Sequence, residues 1–143
     1  MDTPDPLTAE VIALFAKITD LYKREYETAS SRHGLTPQQV KVLFALDEPL
    51  PMRRLAERVF ADPSNLTGMV DRLQGRGLVE RVPDPNDRRI KRIAATDAGR
   101  DVVKDLRAAL RFAADPLVAL DEEQRRGLRD LLQLMVDSQR PAG

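Results

Sequence analysis

The feature that most limits how this chain can fold is its punctuation between residues 53 and 99. Arg53-Arg54-Leu55-Ala56-Glu57-Arg58-Val59 is followed within three residues by Asp62-Pro63-Ser64-Asn65-Leu66-Thr67-Gly68-Met69-Val70-Asp71-Arg72-Leu73. Met52, Leu55, Ala56 and Val59 have the spacing of a short amphipathic helix. Asp62-Pro63 offers an N-cap and a first-turn proline for the next, whose apolar face is Leu66, Met69, Val70 and Leu73. Gly75 or Gly77 supplies its C-terminal turn. Residues 78–82 and 90–94 are β-compatible, and the cluster at 83–87 between them is a turn, which makes a hairpin with Arg88 and Arg89 at its tip. A helix fits the major groove of DNA, and a thin arginine-bearing ribbon reaches the neighbouring minor groove.

The flanks are helical. Val11, Leu14/Phe15, Ile18, Leu21/Tyr22, Tyr26 and Ala29 predict an amphipathic helix over roughly 8–32. After a break at Gly34, Thr36-Pro37-Gln38-Gln39 supplies an N-cap, a first-position proline and a capping-box glutamine. That helix runs to about Leu46 and is stopped by Asp47-Glu48-Pro49-Leu50-Pro51. Thr96 caps another helix, with Asp97 near its positive end. Its stripe is Val102/Val103, Leu106, Leu110 and Ala113/Ala114, interrupted at Pro116. Asp121 and Gln124 form a second capping box, ahead of a stripe of Leu128, Leu131/Leu132 and Met135. The fold class is therefore mainly α (α+β), with loose ends at 1–6 and 138–143. The central lobe, residues 36–95, already looks complete. The terminal helices, 8–33 and 97–140, thus have apolar surface left to cover, either inside one bundle or against a second copy about a two-fold axis.

Composition narrows the chemistry. At 143 residues the chain is sized for one domain, 1–143, with its own core. Its longest apolar run, residues 11–16, is far short of a membrane span, and no basic region precedes a cleavage site, which points to the cytoplasm. With no cysteine and a single histidine, His33, disulfides, thiol sensing and multi-histidine metal sites are excluded, and no cofactor is expected. Net charge is zero, yet residues 53–92 hold ten Lys/Arg against six Asp/Glu. A basic centre between acidic ends suits a chain that meets phosphates with one lobe only.

Asp71-Arg72-Leu73, Gly77-Leu78-Val79, Arg81, Asp84-Pro85-Asn86-Asp87-Arg88-Arg89 and Thr96-Asp97-Ala98-Gly99, in that order and spacing, resemble the MarR family of winged helix-turn-helix transcriptional regulators. The resemblance covers nearly the whole chain. It implies a homodimer with its apex built from terminal helices, two reading heads on a pseudo-palindromic double-stranded DNA site, and repression relieved in many cases by small phenolic or lipophilic molecules.

Ser64, Asn65 and Thr67 lie in the first turns of the reading helix, over 63–75, where they either meet base edges and phosphates or, for Ser64 and Asn65, merely cap it. Arg72 reaches a phosphate or guanine, or pairs at the surface. Gly68 stands where relatives often carry a larger, frequently cationic residue, so no base code transfers from them. By its spacing to Thr96, Arg89 matches the family's minor-groove arginine, with Asp87 matching the acidic residue that orients it. Its guanidinium suits a narrow A·T-rich groove. Arg88 has a lesser part in the wing, 83–92, while Lys91 and Arg92 touch phosphates or solubilise the ribbon. One of Arg53, Arg54 and Arg58 meets a phosphate. Tyr22, Tyr26, His33 and Phe44 are the candidates for an effector pocket, the alternative for the aromatics being plain core.

Catalysis is the first rival, and the chain has no cysteine, one histidine, no Gly-rich phosphate loop and no paired carboxylates off the helix surfaces. The second is a winged-helix protein-interaction or architectural adaptor without specific operator binding, which the zero net charge and Gly68 keep open.

Overall fold

The computed structural model describes residues 2–139, and the chain divides into two compact units after Ala113. The first unit holds helices α1 (Pro6–Arg32), α2 (Pro37–Ala45), α3 (Met52–Val59), α4 (Pro63–Gly75) and α5 (Asp97–Ala109), with strands β1 (Leu50–Pro51), β2 (Val79–Pro83) and β3 (Lys91–Ala95). The second holds α6 (Glu122–Asp137).

Local capping chemistry sets the helix starts. Asp5 accepts the N–H groups of Leu7 and Thr8, so α1 begins earlier than the apolar stripe indicates. Thr36 and Gln39 form the reciprocal capping box of α2, with Pro37 in the first turn. Asp62 accepts the Ser64 N–H at the start of α4, and Thr96 accepts the Gly99 N–H at the start of α5. Asp121 and Gln124 close a capping box on α6. The expected loose ends lie in part at residue 1 and residues 140–143, outside the described residues, as does the last residue of the 97–140 segment.

The sheet corrects the sequence expectation. The ribbon has a third strand, order β1-β3-β2, because Leu50 pairs with Ile93 and Pro51 with Arg92. Leu50 and Pro51, expected only to help stop a helix, thus cover one edge of the hairpin with a strand short enough to tolerate Pro51. The hairpin itself pairs Val79 with Ala95 and Pro83 with Lys91, one residue later than expected.

The end of α5 also differs. Its stripe continues past Leu110, but the helix stops at Ala109 and Leu110 turns extended, well before Pro116. The carboxylate of Glu25, on α1, receives the backbone N–H groups of Arg111 (2.5 Å), Phe112 (2.9 Å) and Ala113 (2.9 Å). A carboxylate that collects three N–H groups satisfies donors that a longer helix would have used internally.

The core of this unit is Leu43, Leu55, Leu66, Leu73, Ile93 and Leu106, with Val40, Val42, Val70 and Val79, all essentially without solvent contact. It joins α2, α3, α4, α5 and the sheet. In contrast, Leu7, Val11, Ile12, Leu14, Phe15, Ile18 and Leu21 leave the first part of α1 apolar and exposed, and only Ala29 and Ser30 of that helix are buried. On α6, Leu131, Leu132, Leu134, Met135 and Val136 are exposed as well, and the helix has no buried residue.

Two backbone features stand out. Gly99 packs so closely under the β2 entry that an added Cβ would collide with the Leu78 carbonyl oxygen and stand 3.0 Å from its carbon. Phe60, closing α3, has φ 53° and is the one non-glycine residue at positive φ among those described. That left-handed conformation costs an L-residue about 1–2 kcal/mol.

Gly99→Ala should lower the unfolding free energy by about 1–3 kcal/mol, the usual cost of forced overpacking, with backbone in place of a side chain that can yield. Urea unfolding checks this. A variant as stable as wild type would mean that the Leu78–Gly99 contact relaxes freely.

Candidate nucleic-acid interface

Helix α4 presents two faces of different chemistry. Leu66, Val70 and Leu73 point into the core, while Ser64, Asn65, Gly68 and Arg72 line an open cleft of about 570 Å³ on the other side, joined by Gln38, Phe60, Ala61, Asp62 and Met69. The N-cap is Asp62, so Ser64 and Asn65 are not consumed in capping and stand in the cleft. Thr67 does not line it, and its hydroxyl donates to the Pro63 carbonyl at 3.0 Å. Gly68 has open space where a Cβ would stand. On α3, Arg53 and Arg54 are exposed and, among the described residues, belong to no ion pair. Arg58 is engaged instead: its Nη1 donates to the Ala45 carbonyl (3.0 Å) and to Asp47 (2.9 Å), latching α3 to the end of α2 and holding the Asp47 carboxyl below its ordinary pKa.

Beside α4 stands the β2–β3 hairpin, and two arginines hold the parts together. Arg81, on β2, donates Nη2 to Asp71 of α4 at 2.7 Å and Nη1 to Gln74. Arg76, just past α4, donates to the carbonyls of Gly34 (2.9 Å) and His33 (2.6 Å) in the turn before α2. Thr96 donates to the Gly77 carbonyl at 2.6 Å, and Gly77 takes the positive φ, 73°, that the turn after α4 requires.

The hairpin tip is organised by Asp84, which is almost wholly buried. Its Oδ1 accepts the N–H groups of Asn86 (2.7 Å) and Asp87 (3.2 Å), its Oδ2 accepts Arg92 Nε (2.8 Å), and its own N–H donates to the Ile90 carbonyl (2.9 Å). The Asn86 N–H and then the Arg92 guanidinium hold its carboxyl below the ordinary 3.8. Arg92 therefore faces inward, where phosphate contact had been one of its two expected uses. Arg89 faces outward with its side chain 91% exposed, gripped by Asp87 through Nε–Oδ1 (3.1 Å) and Nη2–Oδ2 (3.3 Å). That grip, together with the Arg89 N–H, lowers the Asp87 pKa. Arg88 and Lys91 are exposed.

A second cavity, about 730 Å³, opens on the other side of Gln38 and Phe60. Tyr26, Lys41, Phe44 and Arg107 line it, with Lys41 Nζ 5.9 Å from the Tyr26 ring centre and Arg107 5.4 Å from that of Phe44. Burial raises the Tyr26 pKa. Of the aromatic and histidine candidates, Tyr26 and Phe44 line this cavity and Tyr22 and His33 do not. Tyr22 packs edge-on against Phe112, and His33 lies by a smaller recess with Arg32 and Asp105. Sequence reasoning passed over Gln38, Phe60 and Lys41. Gln38 was legible from its place in the first turn of a capped helix.

The MarR family model matches residues 35–91. The HTH-type transcriptional regulator TtmR of Methylorubrum extorquens is 30% identical over 138 residues, which is 95% of this chain and 70% of that protein. The HTH-type transcriptional repressor NicR of Pseudomonas putida is 28% identical across 99% of this chain and 92% of its own. The crystal structure of CouR from Rhodococcus jostii RHA1, bound to p-coumaroyl-CoA, superposes with a TM-score of 0.74 at 30% identity over 92% of this chain and 95% of that one. The chain belongs to the MarR family of DNA-binding transcriptional regulators. Its β2–β3 hairpin is the wing of a winged helix-turn-helix, and its named relatives regulate transcription, so the catalytic reading falls.

A carboxylate with a depressed folded pKa adds stability above its unfolded value, and that stability is lost as the pH falls through the folded value. Unfolding free energy should therefore decline as the pH drops below about 4, and Asp84→Asn should decline with a shallower slope. Equal slopes in acid titrations of the two proteins would remove Asp84 as the centre of the wing.

Proposed function

We propose that this protein is a homodimeric, operator-specific repressor that places α4 in the major groove and the tip of the wing, residues 83–92, in the adjacent minor groove, and that a negatively charged ligand with a planar aromatic group, such as an aromatic acyl thioester, releases it. The 143 residues act as one functional domain in the cytoplasm. Residues 36–95 form the reading lobe, and 8–33 with 97–140 supply the dimer surface. The observation that carries this reading is the Arg89–Asp87 fork. A guanidinium that projects almost fully into solvent while two hydrogen bonds fix its direction is suited to a narrow, strongly negative groove.

The other roles follow from placement. Ser64, Asn65 and Arg72 face base edges and phosphates from the cleft of α4, Gly68 lets the groove approach the helix backbone, and Thr67 serves the first turn of that helix. Arg53, Arg54, Arg88 and Lys91 meet phosphates, and Asp87 positions Arg89. The exposed apolar stripe of α1 and, within the second unit, that of α6 each support the dimer, since apolar stripes left open to solvent mark association surfaces. Within the second cavity, Lys41 and Arg107 over aromatic rings suit a planar ligand with a negative group. The relative CouR carries p-coumaroyl-CoA, which makes aromatic acyl thioesters the first compounds to test.

Selection of bound duplexes from a random library should return an inverted repeat with half-sites about one helical turn apart. A library without a symmetric motif would end the dimeric docking. On that operator, Arg89→Ala should cost about 1–3 kcal/mol in a gel-shift titration. Binding should also weaken steeply with salt, because each phosphate contact releases counterions. An adaptor that does not read DNA would show neither effect.

For the cavity, p-coumaroyl-CoA should dissociate the wild-type complex, and Phe44→Ala should raise the concentration required at least several-fold. Equal concentrations for both proteins would place any effector elsewhere.

A further inference from the structure

Among the described residues, Phe60 is the one placed against both its backbone and its solvent preference. It is 97% exposed, the largest exposure among the large apolar side chains described, and it occupies a left-handed backbone position normally given to glycine. Nothing in the packing of α3 asks for the ring. The turn is closed by main chain, with the Ala61 N–H donating to the Ala56 carbonyl at 3.1 Å. A bulky side chain held against both its backbone preference and its solvent preference is what a functional constraint leaves behind.

Its place says which function. Phe60 stands two residues before the N-cap of α4, at the end of a recognition helix that enters the groove first. It borders the same cleft as Ser64, Asn65, Gly68 and Arg72. The polar members of that cleft can address hydrogen-bonding base edges and phosphates. The major groove carries one apolar mark, the C5-methyl group of thymine. Gly68 leaves the middle of the cleft free of side chain, so the groove wall can approach the ring without obstruction. Phe60 also borders the Tyr26–Phe44 cavity, but a ring with 97% exposure is covered by nothing there.

We propose that Phe60 is a specificity-determining residue that packs against a thymine methyl group in each half-site. The inference rests on the major-groove docking of α4 and adds to it an apolar contact that no hydrogen-bond pattern supplies. It also gives a reason for the strain: Gly at this position would relax the turn and lose the contact.

The test is a methyl-deletion cycle on the selected operator, with deoxyuridine replacing each thymine in turn. Wild type should lose about fourfold in affinity at one thymine per half-site, the value of one buried methyl group. Phe60→Gly should melt no lower than wild type, bind the intact operator more weakly, and show no loss at that thymine. Equal deoxyuridine penalties in both proteins would overturn the inference while leaving the docking of α4 in place, because the effects would then be independent. Unchanged operator affinity of Phe60→Gly with an altered response to p-coumaroyl-CoA would overturn it in favour of the cavity. Failure of wild type to select any duplex would remove the docking itself, and this contact with it.

Discussion

The separation between α4 and the wing is the constraint on which every proposed DNA contact of this molecule depends. A helix and a ribbon that engage adjacent grooves must keep a fixed distance and angle. Arg81 spans the gap, tied to Asp71 and Gln74 on one side and paired opposite Ile93 in the sheet on the other. A half-exposed ion pair of this kind contributes about 0–1 kcal/mol, too little to hold two elements together. The holding force is the apolar layer beneath it, where Leu66, Val70 and Leu73 of α4 share one core with Leu78, Val79 and Ile93. Burial stabilises the joint, and the arginine selects one arrangement of it.

The same division of labour appears at the Gly77–Thr96–Gly99 corner. Thr96 caps α5 and also binds the Gly77 carbonyl, so one hydroxyl ends the turn after α4 and begins the next helix. Gly99 lets that helix sit directly on Leu78. These residues make none of the proposed DNA contacts, yet they recur in the spacing that marked the chain as MarR-like. The physical reason is that they fix where the wing emerges.

How much of this was legible in the sequence follows from how local each determinant is. Helix starts were readable because the cap and its partner lie within three residues, as at Thr36/Gln39, Asp62 and Asp121/Gln124. The third strand and the end of α5 were not, because they depend on Ile93 for Leu50 and on Glu25 for residues 111–113, partners that no spacing rule connects. At the candidate site, residue types pointed to the outer face of α4 and to the Asp87–Arg89 pair, but charge alone could not tell which arginines turn inward. Phe60 was silent for a different reason. A left-handed position usually declares itself through glycine or asparagine, and here neither is present.

Sorting the cations by what they touch resolves the conflict between a chain of zero net charge and a polyanionic partner. Arg58, Arg76, Arg81 and Arg92 spend their guanidinium groups on Asp47, two carbonyls, Asp71 and Asp84, and so belong to the scaffold. Three acids, Asp47, Asp71 and Asp84, are spent at the same time. Arg53, Arg54, Arg72, Arg88, Arg89 and Lys91 are left facing outward from α3, α4 and the wing. Their field acts within about a Debye length of 8–10 Å, so acidic groups elsewhere in the chain weaken it little at the surface while still limiting attraction to nucleic acid at large. In the proposed docking, a neutral protein arranged in this way meets DNA through one face, and depends on shape and base contacts more than a uniformly basic protein does.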